Sequence, residues 1–124
     1  MPNELILIVE DNPKNLKLVR DTLQVKGYQT IEAETGEEGM QLARERRPAL
    51  ILMDIQLPAM NGIEALRELR ADPTTQAIPV IAVTASVMAQ DRQRIMAAGF
   101  DGFQGKPISV RELLATMREI LERA

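Results

Sequence analysis

The stretch LILMDIQLPAMNG, Leu50 to Gly62, decides how this chain is read. Leu50, Ile51, Leu52 and Met53 form an unbroken apolar run, the pattern of a strand covered on both faces. The run stops on an acid, Asp54, and gives way to a loop punctuated by Pro58, Asn61 and Gly62. A single carboxylate is thereby set at the tip of a buried strand.

Short apolar runs alternate with helical segments on both sides of this stretch. Leu5 to Val9 reads as a first strand, followed by a helix in DNPKNLKLVRDTLQVKG with Leu16, Val19 and Leu23 on one face and a stop at Gly27. Gln29 to Ala33 is a second, weaker strand. Thr35, with Glu38 three residues on, forms a capping box that opens the next helix. After Gly62, residues Ile63, Leu66 and Leu69 mark a helix ending before ADPTT. Pro79 to Val83 is the fourth strand, a helix runs from about Met88 to Ala98, and a short fifth strand lies around Phe103. Ser109 and Glu112 form a second capping box, starting a last helix with Val110, Leu113, Leu114, Met117 and Leu121 inward. Strict alternation implies right-handed crossovers and a parallel sheet covered on both faces, a doubly wound α/β domain. At 124 residues the chain is sized for one domain.

Composition removes several kinds of chemistry. A hydrophobic content of 45% with mixed charges describes a folded protein. No apolar run approaches a membrane span and no signal-peptide core is present, so no membrane association and a cytoplasmic address are expected. Without Cys there is no disulfide, thiolate nucleophile or zinc cluster, and without His there is no His-based triad or imidazole ligand. A bound metal would sit on oxygen, which favours a hard cation. A net charge of −3 and only three aromatics, Tyr28, Phe100 and Phe103, argue against nucleic acid. The basic run Arg44-Glu45-Arg46-Arg47 reads as a solvated helix C-terminus, where cations oppose the dipole.

In doubly wound sheets, sites lie outside the carboxyl ends of the strands. Strand one ends in Glu10 and Asp11, strand three in Asp54, strand four in Thr84, and strand five runs into Lys106. Singly, each has an ordinary explanation: Asp11 as a turn former or helix cap, Thr84 as a strand end, Lys106 as a surface lysine. Together, those explanations leave the shared rim unaccounted for. Clustered acids repel and call for a cation, and magnesium suits one or two carboxylates with waters and phosphate oxygens. Asp54 could then act as a nucleophile giving an aspartyl phosphate, with Lys106 and the Thr84 hydroxyl on the remaining phosphoryl oxygens.

The segments ILIVEDN, LILMDIQLPAMNG, VIAVTA and GKPIS resemble the receiver domain of two-component response regulators, over essentially the whole chain. Among these the chain is most similar to stand-alone, single-domain members. The resemblance implies a flavodoxin-like (βα)5 fold with strand order 2-1-3-4-5, filling residues 1–124 as a single receiver domain with no output domain. It implies a phosphorelay switch rather than a turnover enzyme, taking phosphoryl from a histidine kinase or histidine phosphotransfer protein, as a monomer or weak homodimer. Asp54 matches the phosphoacceptor. One magnesium, with manganese as a substitute, would be held by Asp11, Asp54 and the backbone carbonyl of Gln56, with Glu10 acting through water. Thr84, Ala85 and Lys106 match the phosphoryl-binding and signalling positions, and Phe103 the aromatic switch. The Lys106-Pro107 peptide is expected cis, and Gln56 and Ser86 are expected to tune phosphate lifetime. The resemblance further implies that on phosphorylation Thr84 moves, Phe103 rotates inward, and the surface of helix four, strand five and helix five changes to control a downstream partner.

Two other readings were open to these residues. An aspartyl-phosphate phosphatase would want a second acid two residues after Asp54, where Gln56 stands, and more lid material. A module that binds without phosphate, or a flavodoxin-like cofactor carrier, fits poorly with the complete acid, Thr and Lys set and with so few aromatics.

Overall fold

The computed structural model describes residues 3–57, 60–85 and 89–123. Among the described residues, five strands and five helices alternate: β1 (Leu5–Val9), α1 (Pro13–Val25), β2 (Gln29–Ala33), α2 (Gly36–Arg46), β3 (Leu50–Asp54), α3 (Gly62–Ala71), β4 (Val80–Thr84), α4 (Ala89–Ala97), β5 (Gly102–Gly105) and α5 (Val110–Arg123). All neighbouring strands pair in parallel, in the order β2-β1-β3-β4-β5. This is the doubly wound arrangement that the alternation implied, in the flavodoxin-like strand order that the family resemblance implied.

Side chains alternate across each strand, and the two faces carry separate cores. Leu7, Val9, Ile51, Met53, Val80 and Ala82 face one way, packed with Met40 and Ala43 of α2, Leu66 and Leu69 of α3 and Ile95 of α4. Ile6, Ile8, Leu50, Leu52 and Ile81 face the other way, against Leu16, Val19 and Leu23 of α1 and Leu113, Met117 and Ile120 of α5. Both faces of β3 and β4 are covered, which is why these strands read as continuous apolar runs.

The same alternation sorts the residues at the rim. Glu10 follows the parity of Ile6 and Ile8, and Asp54 that of Leu50 and Leu52, so both belong to the α1/α5 face. Thr84 follows Val80 and Ala82 onto the face covered by α4.

Local signals set the element boundaries. Asn12 caps α1, its side-chain oxygen accepting from the N–H groups of Lys14 at 2.9 Å and Asn15 at 3.3 Å, with Pro13 starting the helix. Thr35 accepts from the Glu38 N–H at 3.1 Å, as its capping box required. Ser109 Oγ stands 3.4 Å from the Glu112 N–H, a weaker cap. Helix α3 includes Ala71, one residue beyond the expected stop, and β4 begins after Pro79, which lacks an N–H for the ladder. The carbonyl of Pro79 still accepts from Ile51. The expected start of α4 at Met88 lies outside the described residues; the helix ends at Ala97 rather than Ala98, and Gly99 follows with a φ of 110°. On α5, Leu114 and Leu121 are half-buried at the edge of the core, Val110 is half-buried, and Ile120 joins the fully inward stripe. Among the described residues, no helix is long and apolar enough to cross a membrane.

Candidate functional site

The carboxyl ends of β1 and β3 lie side by side, because Val9 pairs with Met53 in register. Each strand then delivers an acid at its end. Carboxylate oxygens of Glu10, Asp11 and Asp54 lie within 4.8 Å of one another. Glu10 and Asp54 are buried, at 4% and 2% exposure, whereas Asp11 is exposed to solvent. Asp11 is not spent on capping α1, since Asn12 fills that role, and its carboxylate remains with the cluster.

Lys106 enters from the turn after β5. Its ammonium lies 3.0 Å from Asp54 Oδ2 and 3.1 Å from Glu10 Oε1, bridging the two buried acids. The Lys106 N–H donates to the Thr84 carbonyl at 2.8 Å, which ties this turn to the end of β4. The peptide bond from Lys106 to Pro107 is cis. The second oxygen of Asp54, Oδ1, accepts from the Gln56 N–H at 2.9 Å, and Glu10 Oε2 accepts from the Asn12 N–H at 3.2 Å.

Burial pushes the Glu10 carboxyl up, and the adjacent Asp54 pushes it further, so that it rises from an ordinary 4.5 to about 7. The Asn12 N–H and Lys106 offset only part of this. For Lys106, burial acts to lower the pKa, but its hydrogen bonds to Asp54 and Glu10 prevail and raise it. The ammonium therefore stays charged and serves as counter-ion to the buried acids.

The remaining residues expected at the site are placed differently. Thr84 is buried at 2% exposure at the end of β4, and Ala85 beyond it is exposed. Gln56, two residues after Asp54, has an exposed side chain. Ser86 lies outside the described residues. Phe103 is half-buried, with its ring against the α4-side core and the Arg92 guanidinium 4.8 Å above its centroid. A groove of about 720 Å³ opens beside Thr84, lined in part by Gln56, Asn61, Arg67 and Arg94.

Gly62 was not singled out for the site, yet the turn after Asp54 depends on it. Its N–H donates to the Ile55 carbonyl at 2.9 Å, and a Cβ there would stand 2.9 Å from the Asp54 carbonyl oxygen and 3.0 Å from Ile55 Cα. The signal available in the sequence was Asn61-Gly62 directly before a helical pattern, with Asn61 accepting from the Glu64 N–H as N-cap.

A doubly wound parallel sheet with three carboxylates and a lysine at one rim defines a protein that could hold a hard cation beside a reactive acid. The family model for the response regulator receiver domain matches residues 6–118, and the chain belongs to that family. It is 47% identical over 116 residues to the polar-differentiation response regulator DivK of Brucella anthropi, covering 94% of each chain, and equally to that of Brucella melitensis. Among solved structures, the receiver domain of the sensor histidine kinase PA1611 from Pseudomonas aeruginosa is 35% identical with a TM-score of 0.84, over 98% of this chain and 96% of that one. That structure has a magnesium ion coordinated in its active-site cleft. The chemotaxis protein CheY4 of Vibrio cholerae matches at 27% identity and a TM-score of 0.87, over 94% of this chain and 98% of the other. The chain is thus a two-component receiver of CheY-like fold.

Proposed function

We propose that this protein is a phospho-accepting switch in which Asp54 takes a phosphoryl group from a phosphohistidine on a histidine kinase or histidine phosphotransfer protein. The observation that carries this reading is the Asp54 carboxylate itself: buried at the end of β3, grouped with Glu10 and Asp11, and 3.0 Å from the Lys106 ammonium. An ionised oxygen of Asp54 forms the new bond to phosphorus while the donor's P–N bond breaks and the imidazole nitrogen keeps the electron pair. The attacking group sits on a rigid strand whose neighbours hold both its oxygens, so little reorientation is needed.

Asp11, Asp54 and the Gln56 carbonyl would hold a magnesium ion, with Glu10 acting through water and manganese as a substitute. The all-oxygen donor set suits a hard cation, and one such ion would neutralise charge on the transferring phosphoryl group. Lys106 and the Thr84 hydroxyl take the outer phosphoryl oxygens, with Ala85 contributing from the backbone. The side chains at positions 56 and 86, Gln56 and Ser86, tune the lifetime of the phosphate.

The product carries roughly one to two added negative charges. Thr84 and Phe103 both lie on the α4 side of the sheet, which supports a readout in which the hydroxyl moves toward phosphate and the ring rotates into the space it leaves. The surface of α4, β5 and α5 then changes and controls a protein partner. The protein promotes only its own phosphorylation and dephosphorylation and turns over no separate substrate.

Intact mass after treatment with acetyl phosphate tests this. Wild type with magnesium should gain one acid-stable, base-labile phosphate, and Asp54→Asn should gain none. An Asp54→Asn protein that labels as well as wild type would overturn the assignment.

A further inference from the structure

The Arg92 guanidinium, on an exposed position of α4, lies 4.8 Å from the centroid of the Phe103 ring on β5. That is inside the range in which a cation is attracted to an aromatic face. Phe103 has no hydroxyl, so a hydrogen bond holds its ring in neither position. Packing against the α4-side core and the overlying cation are what fix it. An inward-rotated ring withdraws its face from α4. Arg92 cannot follow, because burying an unpaired guanidinium is far more costly than the contact is worth.

We propose that Arg92 is a positioning residue that latches Phe103 in its half-buried resting position, so that switching requires this cation–π contact to be broken. The latch rests on the switch reading above and adds a residue to it. Its size follows from exposed cation–π contacts, which shift a two-state population roughly two- to fivefold. Any ligand that binds the ring-inward state preferentially is weakened by the same factor, because the competent state is that much rarer.

The sign of the effect separates a latch from simple electrostatics. Loss of a nearby positive charge weakens binding of an anion at Asp54, whereas release of a latch tightens it. The test is the affinity of magnesium-loaded protein for beryllium fluoride, a phosphoryl mimic. Fluorophenylalanine at the chain's two phenylalanines reports the Phe103 ring. Arg92→Ala should bind the mimic about two- to fivefold more tightly than wild type. Arg92→Lys, which keeps a cation on a long stem, should stay within about twofold. In a Phe103→Leu background, Arg92→Ala should produce no tightening, since no ring remains to be held. Unchanged or weaker binding by Arg92→Ala, or equal tightening without Phe103, would overturn the latch. A wild type that binds the mimic without any change at Phe103 would remove the switch reading and the latch with it; failure of Arg92→Ala alone would remove only the latch.

Discussion

The buried Glu10 should make the metal-free protein lose stability as pH rises through neutrality. Its carboxyl is raised from 4.5 to about 7, first by burial and then by Asp54. Below pH 4.5, Glu10 is protonated in both folded and unfolded chains, and the stability linked to it is present in full. Between 4.5 and about 7 the unfolded chain releases its proton while the folded chain retains it, so each pH unit favours unfolding by roughly 1.4 kcal/mol. Above about pH 7 both are ionised and the loss is complete, at about 3 kcal/mol.

The window is unusually clean. With no His and no Cys, no side chain ordinarily titrates between pH 5 and 8. Asp21 and Asp72 are held below 3.8 by hydrogen bonds from Lys17 and Thr74 respectively, so their contributions are lost only in stronger acid. Lys106 is raised above 10.5, and its contribution is lost only in base. Urea unfolding in EDTA at pH 5, 6, 7 and 8 measures the slope. Circular dichroism is the suitable probe, since the chain has no Trp. Glu10→Gln should be nearly flat across this range. Asp54→Asn should be shallower than wild type but still sloped, because burial remains the larger cause of the shift. Magnesium should restore more stability at pH 8 than at pH 5, since it binds the ionised, folded pocket. A wild-type curve as flat as that of Glu10→Gln would refute the reasoning.

Two further perturbations probe the turn and the lysine. Gly62→Ala should cost roughly 1–3 kcal/mol in urea unfolding, because its Cβ meets the backbone of Asp54 and Ile55, which cannot rotate away; a neutral substitution would show that the turn is looser than its contacts imply. Lys106→Met should destabilise the metal-free protein at pH 8 by leaving Glu10 and Asp54 without their ammonium, while magnesium binding persists in a calorimetric titration; loss of magnesium binding would place the lysine in the metal shell rather than beside it.

Strands were legible to within about a residue because burial on both faces leaves unbroken apolar runs, as in Leu50 to Met53 and Val80 to Val83. That Glu10, Asp11 and Asp54 would meet was legible too, because parallel strands put all their carboxyl ends at one rim. Helix faces were less sharp. On α5, Ile120 and Leu121 are three and four residues beyond Met117, so periodicity admits both; Ile120, whose Cδ1 lies against Gly102 of β5, is the more buried. Asp11 and Asn12 are both good caps, and backbone geometry gave the role to Asn12. The double ion pair of Lys106 and the stack of Arg92 on Phe103 had no local signature. Each joins residues brought together only by the positions of β5 and α4.

Strand parity divides the site between the two faces of the sheet. Glu10 and Asp54 belong to the α1/α5 face, and Lys106 closes over them from beyond β5. Thr84 and Phe103 belong to the opposite face, under α4. In the proposed switch, a charge change at Asp54 would thus arise on one side of the sheet and be read on the other. The rim is where the two sides can communicate, since there the sheet ends and side chains can reach around it. The Lys106 backbone already makes such a link: its N–H holds the Thr84 carbonyl while its ammonium holds Asp54. One residue therefore contacts both the acid proposed to take the phosphate and the strand end proposed to report it. Any displacement of that ammonium by magnesium or phosphate acts on a turn tied directly to β4, without passing through the packed core.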